Sequence, residues 1–375
     1  MAKDINKRTF DDATKLKLEI FREYFREWLP VFIHQPYFER IFIYDFFSGS
    51  GKDKDGNYGS PLILLKEAMG DNQMFCSNVA QNKIAFGFNE KITTKATELK
   101  QNIEGHLKEC LKNCNRKECV YQVGYGNYDF KDAFDSENVK SILENPKYDK
   151  LILLDQYGFK EVGNNVFLNL TQYPKTDFIF FISSSFIRRF KEHEYIKKYF
   201  DTNNILFDEA APNHCHKQIA EYYKSLIPKD KEYYLHQFTI KKGSNYYGLI
   251  FGTAHSLGME KFLKVCWRHD KYAGESNCNI NNDYELGTLF YTEENTNKIN
   301  DYKKELEDLI LKGKINTNQI GLKHALKSGV LPNAFIEVTE NLVKQKKIEI
   351  IGKFNKKKTN IHRLTEKDIY QIKTI

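Results

Sequence analysis

Long apolar runs are missing from this chain of 375 residues, and none approaches the about 20 residues that a membrane-spanning helix needs. The first eight residues, Met-Ala-Lys-Asp-Ile-Asn-Lys-Arg, lack the apolar centre of a secretion signal. A secreted disulfide pattern is also lacking, since the seven cysteines are odd in number and follow no such spacing. We therefore expect a cytoplasmic protein with reduced thiols and no membrane partner.

Acidic residues are clearly outnumbered by basic residues only near the end of the chain. Residues 298–375 hold 17 Lys and Arg against 9 Asp and Glu, whereas the preceding residues hold 40 against 41. A basic surface of this kind is typical of contact with nucleic acid or another polyanion. Lysine-rich segments also serve as plain solubilising surface, so both interpretations stay open.

What the chain does contain is an apolar strand that ends in a small-residue turn, Ile41-Phe-Ile-Tyr-Asp-Phe-Phe-Ser-Gly-Ser-Gly51. Glycine lets backbone approach a ligand, because it has no Cβ and tolerates positive φ. The pattern D-x-F-x-G-x-G (Asp45, Phe47, Gly49, Gly51) is closer to an S-adenosylmethionine motif than to the dinucleotide motif G-x-G-x-x-G. An ordinary strand and turn is the alternative.

Apolar strands alternate with amphipathic helices as far as residue 190, which predicts a doubly wound, mostly parallel α/β sheet. Two strand-like runs, 233–241 and 246–253, predict a hairpin at the sheet's edge. The carboxyl ends of parallel strands meet at one edge, where ligands bind. Glu90 follows the second strand and is expected to hold ribose hydroxyls, and Asn127 follows the third and is expected to contact adenine. Asp155 and Tyr157 follow the fourth and are candidates to align and stack a methyl acceptor.

Three regions are predicted: an α/β domain at 1–270, a polar linker at 271–297 and a C-terminal module at 298–375. The last contains helices near 299–312, 316–328 and 332–346. Two short strands, 347–351 and 361–364, would then form a ribbon. Three helices followed by a ribbon is a winged-helix pattern, which occurs in DNA-binding and in protein-docking modules.

Two further groups of residues have both a functional and an ordinary interpretation. Tetrahedral zinc would accept donors of the kind found at His106, Cys110, Cys114 and Cys119, but their spacing is not that of a zinc ribbon. The alternative is a helix end with incidental thiols, and we prefer it. Arg188 and Arg189 could clamp a phosphate at the rim of the pocket or serve as helix-start surface charges.

Taken together, these residues resemble the three-Cys-motif partner protein family (TcmP), a bacterial group. The resemblance covers roughly residues 12–270, with a matching C-terminal segment. It is carried by the following residues: Asp45 to Gly51, Gly59-Ser60-Pro61-Leu62 with Ser60 as expected helix N-cap, Asp155-x-Tyr157-Gly158, Asp177 to Arg189, His255-x-x-Gly258 and Trp267. It implies a Rossmann-like class I methyltransferase core, S-adenosylmethionine as cofactor and a three-Cys-motif radical-type protein as partner.

The chain departs from the family pattern at its candidate acceptor site. Gln156 stands where the family has Pro, and Ala13 and Leu18 stand near the places of two histidines in the N-terminal helix. Three hypotheses follow. The first is an S-adenosylmethionine-dependent methyltransferase acting on a nucleic-acid base amine. The others are a non-catalytic partner subunit of a bacterial defence or mobile-element system, and a nucleic-acid-binding regulator.

Overall fold

A computed structural model describes residues 8–33, 39–70, 75–76, 79–114, 116–293 and 296–375. Apart from Arg8, the polar N-terminal stretch lies outside these residues. The main sheet is built from seven strands: β1 (Arg40–Asp45), β2 (Ile84–Asn89), β3 (Gln122–Gly126), β4 (Tyr148–Leu154), β5 (Thr176–Ile182), β6 (Tyr234–Lys242) and β7 (Asn245–Thr253).

The strands lie in the order β3-β2-β1-β4-β5-β7-β6. The first five are parallel, and β7 runs antiparallel to both β5 and β6. The predicted doubly wound sheet and its edge hairpin are therefore confirmed. The order reverses between β1 and β4, where Asp45 pairs with Leu153, and this is the position at which such sheets bind ligands.

Helices cover both faces of the sheet. Their bounds are α1 (Asp12–Ile33), α2 (Ser60–Met69), α3 (Thr93–Lys112), α4 (Phe130–Asp135), α5 (Glu137–Glu144), α6 (Asn164–Gln172), α7 (Ser184–Arg189), α8 (Glu194–Lys197), α9 (Cys215–Leu226) and α10 (Ser256–His269). None of the helices within the described ranges is long and apolar enough to cross a membrane.

Side-chain alternation along the strands feeds two separate cores. In β4, Leu151 and Leu153 join a cluster with α1, α2, α3 and α10. Ile152 and Leu154 point the other way and join a cluster with α4, α5, α6 and α9. Because successive residues of a strand face opposite sides, an unbroken apolar run is what a sheet buried on both faces requires.

The C-terminal part contains α11 (Asn297–Leu311), α12 (Asn318–Lys327), α13 (Asn333–Lys344), β8 (Ile348–Ile351) and β9 (Gln371–Thr374). The three helices lie where the sequence predicts them, but the predicted second ribbon strand is wrong. Residues Ile361–Arg363 form a 3-10 turn, and β8 pairs with β9 instead. Ile361 is buried in the core, and a capping box between Thr365 and Asp368 turns the chain back before the true strand begins.

Residues 271–277 are held against the α/β core. Asp270 accepts hydrogen bonds from four backbone N–H groups between Tyr272 and Ser276. The C-terminal part also contacts α10, because Trp267 Nε1 donates to the Gly329 carbonyl at 3.1 Å. The C-terminal helices also share the α1 and α10 side of the core. The domain limits at 270 and 298 stay a prediction, as does the winged-helix assignment.

Close helix contact makes one glycine in α12 sensitive to substitution. A Cβ on Gly321 would lie 2.0 Å from Phe335 Cε2, whereas a Cβ on Gly105 in α3 would meet nothing within 4 Å. We expect Gly321→Ala to lower the melting temperature by several degrees, because overpacking costs about 1–3 kcal/mol. Gly105→Ala should raise it slightly, since Ala favours a helix interior by about 1 kcal/mol. Thermal unfolding followed by circular dichroism measures both, and equal shifts would contradict the packing.

Candidate cofactor and acceptor site

The turn after β1 is shaped by two glycines in the left-handed region, Gly49 at φ 59° and Gly51 at φ 80°. Gly59 N donates to the Gly51 carbonyl at 2.8 Å, which closes the loop onto the start of α2. A Cβ on Gly51 would also come within 3.1 Å of Leu99 in α3. Glycine is therefore required at position 51 by both backbone angle and space.

Asp45 ends β1 and is completely buried beneath this turn. Its Oδ2 accepts from Ser60 Oγ at 2.6 Å, and its Oδ1 accepts from Phe47 N at 3.0 Å. The expected N-cap role of Ser60 is therefore wrong. The hydroxyl is recruited by Asp45, and Gly59 takes the N-cap position of α2 without a side-chain bond.

Burial raises the pKa of Asp45 to about 7. The hydrogen bonds from Ser60 and Phe47 oppose this rise, the neighbouring negative charge of Asp155 adds to it, and the cation of Lys17 opposes it. The carboxyl group thus supports the turn through its two bonds.

Asp155 lies just beyond β4 and forms an ion pair with Lys17 of α1. Lys17 Nζ is 2.6 Å from Oδ1 and 2.5 Å from Oδ2 of Asp155. The two side chains are only 9% and 18% exposed, so water screens them weakly. The ammonium group also lies 4.8 Å from the ring centre of Phe181, within cation–π range.

The two residues after Asp155 behave differently. Gln156 is buried, and its Oε1 accepts from Glu161 N at 2.9 Å and from Val162 N at 3.3 Å. Its buried Nε2 has no hydrogen-bond partner among the described residues. Tyr157 is 69% exposed and free to offer its ring to a ligand.

The ends of β2 and β3 close against the glycine turn. Glu90 Oε2 accepts from Gly49 N at 3.0 Å, and its Oε1 accepts from Ile92 N at 2.8 Å. Asn127 Nδ2 donates to the Glu90 and Lys91 carbonyls at 2.8 and 3.0 Å. Phe47 stacks on Phe130 with ring centres 5.1 Å apart. The structure thus joins Gly49 and Glu90 directly, while Asn127 braces the β2 end.

A cleft of about 510 Å³ lies beside the same turn, on the side of α3. Its lining includes Ser50, Asp53 and Asn102, and Asn102 Nδ2 donates to the Ser50 carbonyl at 2.8 Å. Neither Glu90 nor Asp155 belongs to this lining. The cleft and the predicted acceptor position are therefore separate features of the glycine turn.

The predicted phosphate clamp is engaged by protein groups. Arg188 pairs with Glu209 at 2.8 Å. Arg189 donates to Asn245 Oδ1 at 2.8 Å and to the Ser185 carbonyl at 3.2 Å. The two guanidinium groups therefore have different partners, and their role toward phosphate stays a prediction.

The zinc alternative gains no support within the described ranges. No group of three or more His, Cys, Asp or Glu side chains there is arranged to hold a metal ion. His106 instead packs edge-on against Tyr58 with ring centres 5.6 Å apart. Burial raises the pKa of the Cys110 thiol to about 11, which disfavours the thiolate that binds metal.

Lys17 is the residue of this site that sequence reasoning missed, and the bond from Ser60 to Asp45 was missed because Ser60 was assigned to a helix cap. Lys17 shares a helical stripe with Phe21, Tyr24 and Trp28, all buried. A charged residue on an apolar stripe needs a buried partner, and this signal was available in the sequence. The identity of the partner could not be predicted from the sequence, because Asp155 lies 138 residues further along the chain.

The strand order, with an antiparallel seventh strand between the fifth and sixth, is that of the Rossmann-like class I S-adenosylmethionine-dependent methyltransferases, and the chain has this fold. No protein-family model and no curated protein matches it. The resemblance to the three-Cys-motif partner family accordingly stays a prediction.

Several solved structures are similar to it at low identity. Trm1 from Pyrococcus horikoshii, solved in complex with S-adenosyl-L-methionine, is 10% identical with a TM-score of 0.38, and the match covers 97% of this chain and 91% of that chain. A putative O-methyltransferase from Klebsiella pneumoniae is 11% identical at 0.32, covering 65% and 90%. The putative methyltransferase yhhF from Escherichia coli is 13% identical at 0.28, covering 66% and 92%.

The raised pKa of Asp45 predicts a pH-dependent stability. The folded protein holds a proton on Asp45 between its ordinary pKa near 3.8 and about 7, whereas the unfolded chain does not. This contribution to stability is therefore lost as the pH rises through that window. Asp45→Asn removes the titration and keeps groups able to bond Ser60 and Phe47 N. We expect the melting temperature of the variant to gain on that of the wild type from pH 5 to pH 8. Parallel curves would contradict the assignment.

The ion pair predicts a large cost for removing one partner. Lys17→Met leaves a mostly buried carboxylate without its counter-charge, and we expect a loss of about 3 kcal/mol in the free energy of unfolding. The double variant Lys17→Met/Asp155→Leu should recover much of it, since no lone charge remains. Lys15→Met is the control, because Lys15 is 57% exposed and lies 3.7 Å from Asp12. Denaturant unfolding measures all three. A double variant no more stable than Lys17→Met would overturn the coupling.

Proposed function

We propose that this protein is an S-adenosylmethionine-dependent methyltransferase that acts on a nucleic-acid base amine. The observation that carries the proposal is the contact between Gly49 N and Glu90 Oε2, which joins the ends of β1 and β2 beside the reversal point of the sheet. The contact brings the glycine turn next to a carboxylate at a strand end, the kind of residue that accepts hydrogen bonds from ribose hydroxyls in such sheets. Asp155 lies at the end of the adjacent strand β4.

The residues present fit the cofactor by their hydrogen-bonding capacity. An ionised carboxylate has about four lone-pair sites, and Glu90 uses two of them on Gly49 N and Ile92 N. The others can accept from ribose hydroxyls. Near the reacting end, Asp45 and Asp155 carry two negative charges against one positive charge on Lys17 when Asp45 is ionised. This balance favours a cationic sulfonium.

The acceptor is proposed to bind between Asp155 and Tyr157. When bound, S-adenosylmethionine supplies an electrophilic methyl group. Asp155 accepts a hydrogen bond from the acceptor amine and so turns its lone pair toward that group. The exposed ring of Tyr157 holds the planar base by stacking. Lys17 fixes the orientation of Asp155 through its contacts with both carboxylate oxygens.

The basic C-terminal part and the Arg188 and Arg189 pair are proposed to contact the nucleic-acid backbone. Residues 298–375 carry the whole excess of positive charge in the chain. Counter-ion release from phosphates would make this contact strongly salt-dependent. The winged-helix-like module is thus proposed as a positioning device that brings a strand to the α/β core.

One observation favours a second candidate, the non-catalytic partner subunit. Lys17 contacts both oxygens of Asp155, and Gln156 replaces the family Pro beside it. An acceptor amine must therefore share Asp155 with an internal ammonium group. In this second candidate the pocket is structural, and the chain docks on a three-Cys-motif radical-type protein in a bacterial defence or mobile-element system.

Calorimetric titration of S-adenosylmethionine separates the candidates. We expect micromolar binding by the wild type and at least a tenfold loss in Glu90→Ala, because that variant removes the ribose acceptor and a brace of Gly49. Glu109→Ala is the matched control, since Glu109 is an exposed carboxylate further along α3 and does not line the cleft beside the glycine turn. Absence of binding by the wild type would remove the enzyme proposal for the isolated chain.

A further inference from the structure

An exposed group of aromatic rings lies next to the predicted acceptor site. We call Phe159, Phe186, Phe190 and Tyr195 the aromatic platform. Phe159 is buried and forms its base, stacked on Phe186 at 5.5 Å between ring centres and edge-on to Tyr195 at 5.8 Å. Phe186 and Phe190 lie 4.7 Å apart.

The upper rings of the platform are open to solvent. Phe186 is 38% exposed, Phe190 45% and Tyr195 47%. Single exposed aromatic residues are ordinary, whereas Phe186 and Phe190 contact each other and share the buried Phe159 with Tyr195, and grouped exposed rings of this kind often mark a binding site. Other aromatic rings in this part of the fold are buried, since the neighbouring Phe200 is only 1% exposed.

The platform is joined to the candidate acceptor site by short chain segments. Phe159 follows Asp155 by four residues and Tyr157 by two. Ser183 N donates to the Gly158 carbonyl at 2.9 Å, which ties this loop to the start of α7, the helix that carries Phe186. A strand lying on the platform would therefore pass the acceptor position.

The charge around the platform suits a polyanion. Residues 184–200 contain five Lys or Arg against two Glu. Glu209 adds one negative charge and is shared by Arg188 and Lys191, each at 2.8 Å. The segment 184–200 is thus weakly positive and carries the exposed rings, and proteins hold single strands by the same combination of base stacking and phosphate attraction.

We propose that the aromatic platform binds unstacked bases of single-stranded nucleic acid and leads the strand to Asp155. This inference rests on the proposed function and narrows its acceptor to a base in a single strand. A duplex keeps its bases stacked on one another and cannot cover the rings in this way. A protein partner would need an apolar patch and an acidic rim, and it is the outcome that the test must separate.

The test is fluorescence anisotropy with labelled DNA and RNA strands of about 15 nucleotides, each compared with its own duplex. We expect the wild type to bind single strands about tenfold more tightly than duplexes. Phe190→Ala and Tyr195→Ala should each lose about tenfold in affinity. Phe186→Leu should lose as much, while its apolar side chain keeps Phe159 covered and the fold intact.

Tyr284→Ala is the matched control, because Tyr284 is 58% exposed and in ring contact with Phe290 on a different segment. It should bind like the wild type. Unchanged affinity in all three platform variants, or equal binding of duplex, would overturn the proposal. So would a change in self-association by ultracentrifugation without a change in strand affinity.

Titration of S-adenosylmethionine into the same variants keeps the two proposals apart. The platform variants should bind the cofactor like the wild type, since none of these rings touches Gly49 or Glu90. Strand binding that depends on the rings, without cofactor binding by the wild type, would leave the platform standing and remove the methyltransferase. Cofactor binding by the wild type, with no effect of the ring variants on strand affinity, would leave the methyltransferase proposal standing and remove the platform.

Discussion

The ion pair between Lys17 and Asp155 is the constraint on which the candidate site depends. Parallel pairing of β1 with β4 brings two carboxylates, Asp45 and Asp155, to neighbouring strand ends. Burial and the neighbouring charge of Asp155 raise the pKa of Asp45, and a nearby cation opposes this rise. Lys17 supplies that cation from α1. The position of α1 on the sheet must therefore satisfy this ion pair as well as the packing of its apolar residues.

Much of the fold could be predicted because the sheet is buried on both sides. Its strands read as unbroken apolar runs, and the hairpin turn carries Gly243 at φ 59°, which the turn requires. Shorter signals failed where tertiary contacts decided. Ser60 has the local pattern of an N-cap, yet Asp45 captures its hydroxyl from 15 residues away. The run at 361–364 was predicted to be a strand, but its sequence is no more strand-like than that of β9, which is the segment that pairs with β8.

The site could be predicted only as a set of backbone positions. Strand ends follow from periodicity, so the places of Asp45, Glu90 and Asp155 at one sheet edge were accessible from sequence. The partners of these side chains were not, since each is chosen by packing between distant segments. Glu90 turns back onto Gly49 N, and Arg188 is taken by Glu209. From the sequence alone, a carboxylate at a strand end can be named only as a candidate ligand-binding residue, because its hydrogen-bond partners are not known.

The charge balance bears on the kind of acceptor. Under the proposed function, a protonated amine approaching Asp155 would compete with the ammonium group of Lys17 for the same two oxygens. A base amine is neutral and needs only a hydrogen bond from the carboxylate. The lone pairs of Asp155 left over by Lys17 suffice for that bond. Under that proposal, the ion pair disfavours a charged amine as the acceptor and is compatible with a neutral planar one.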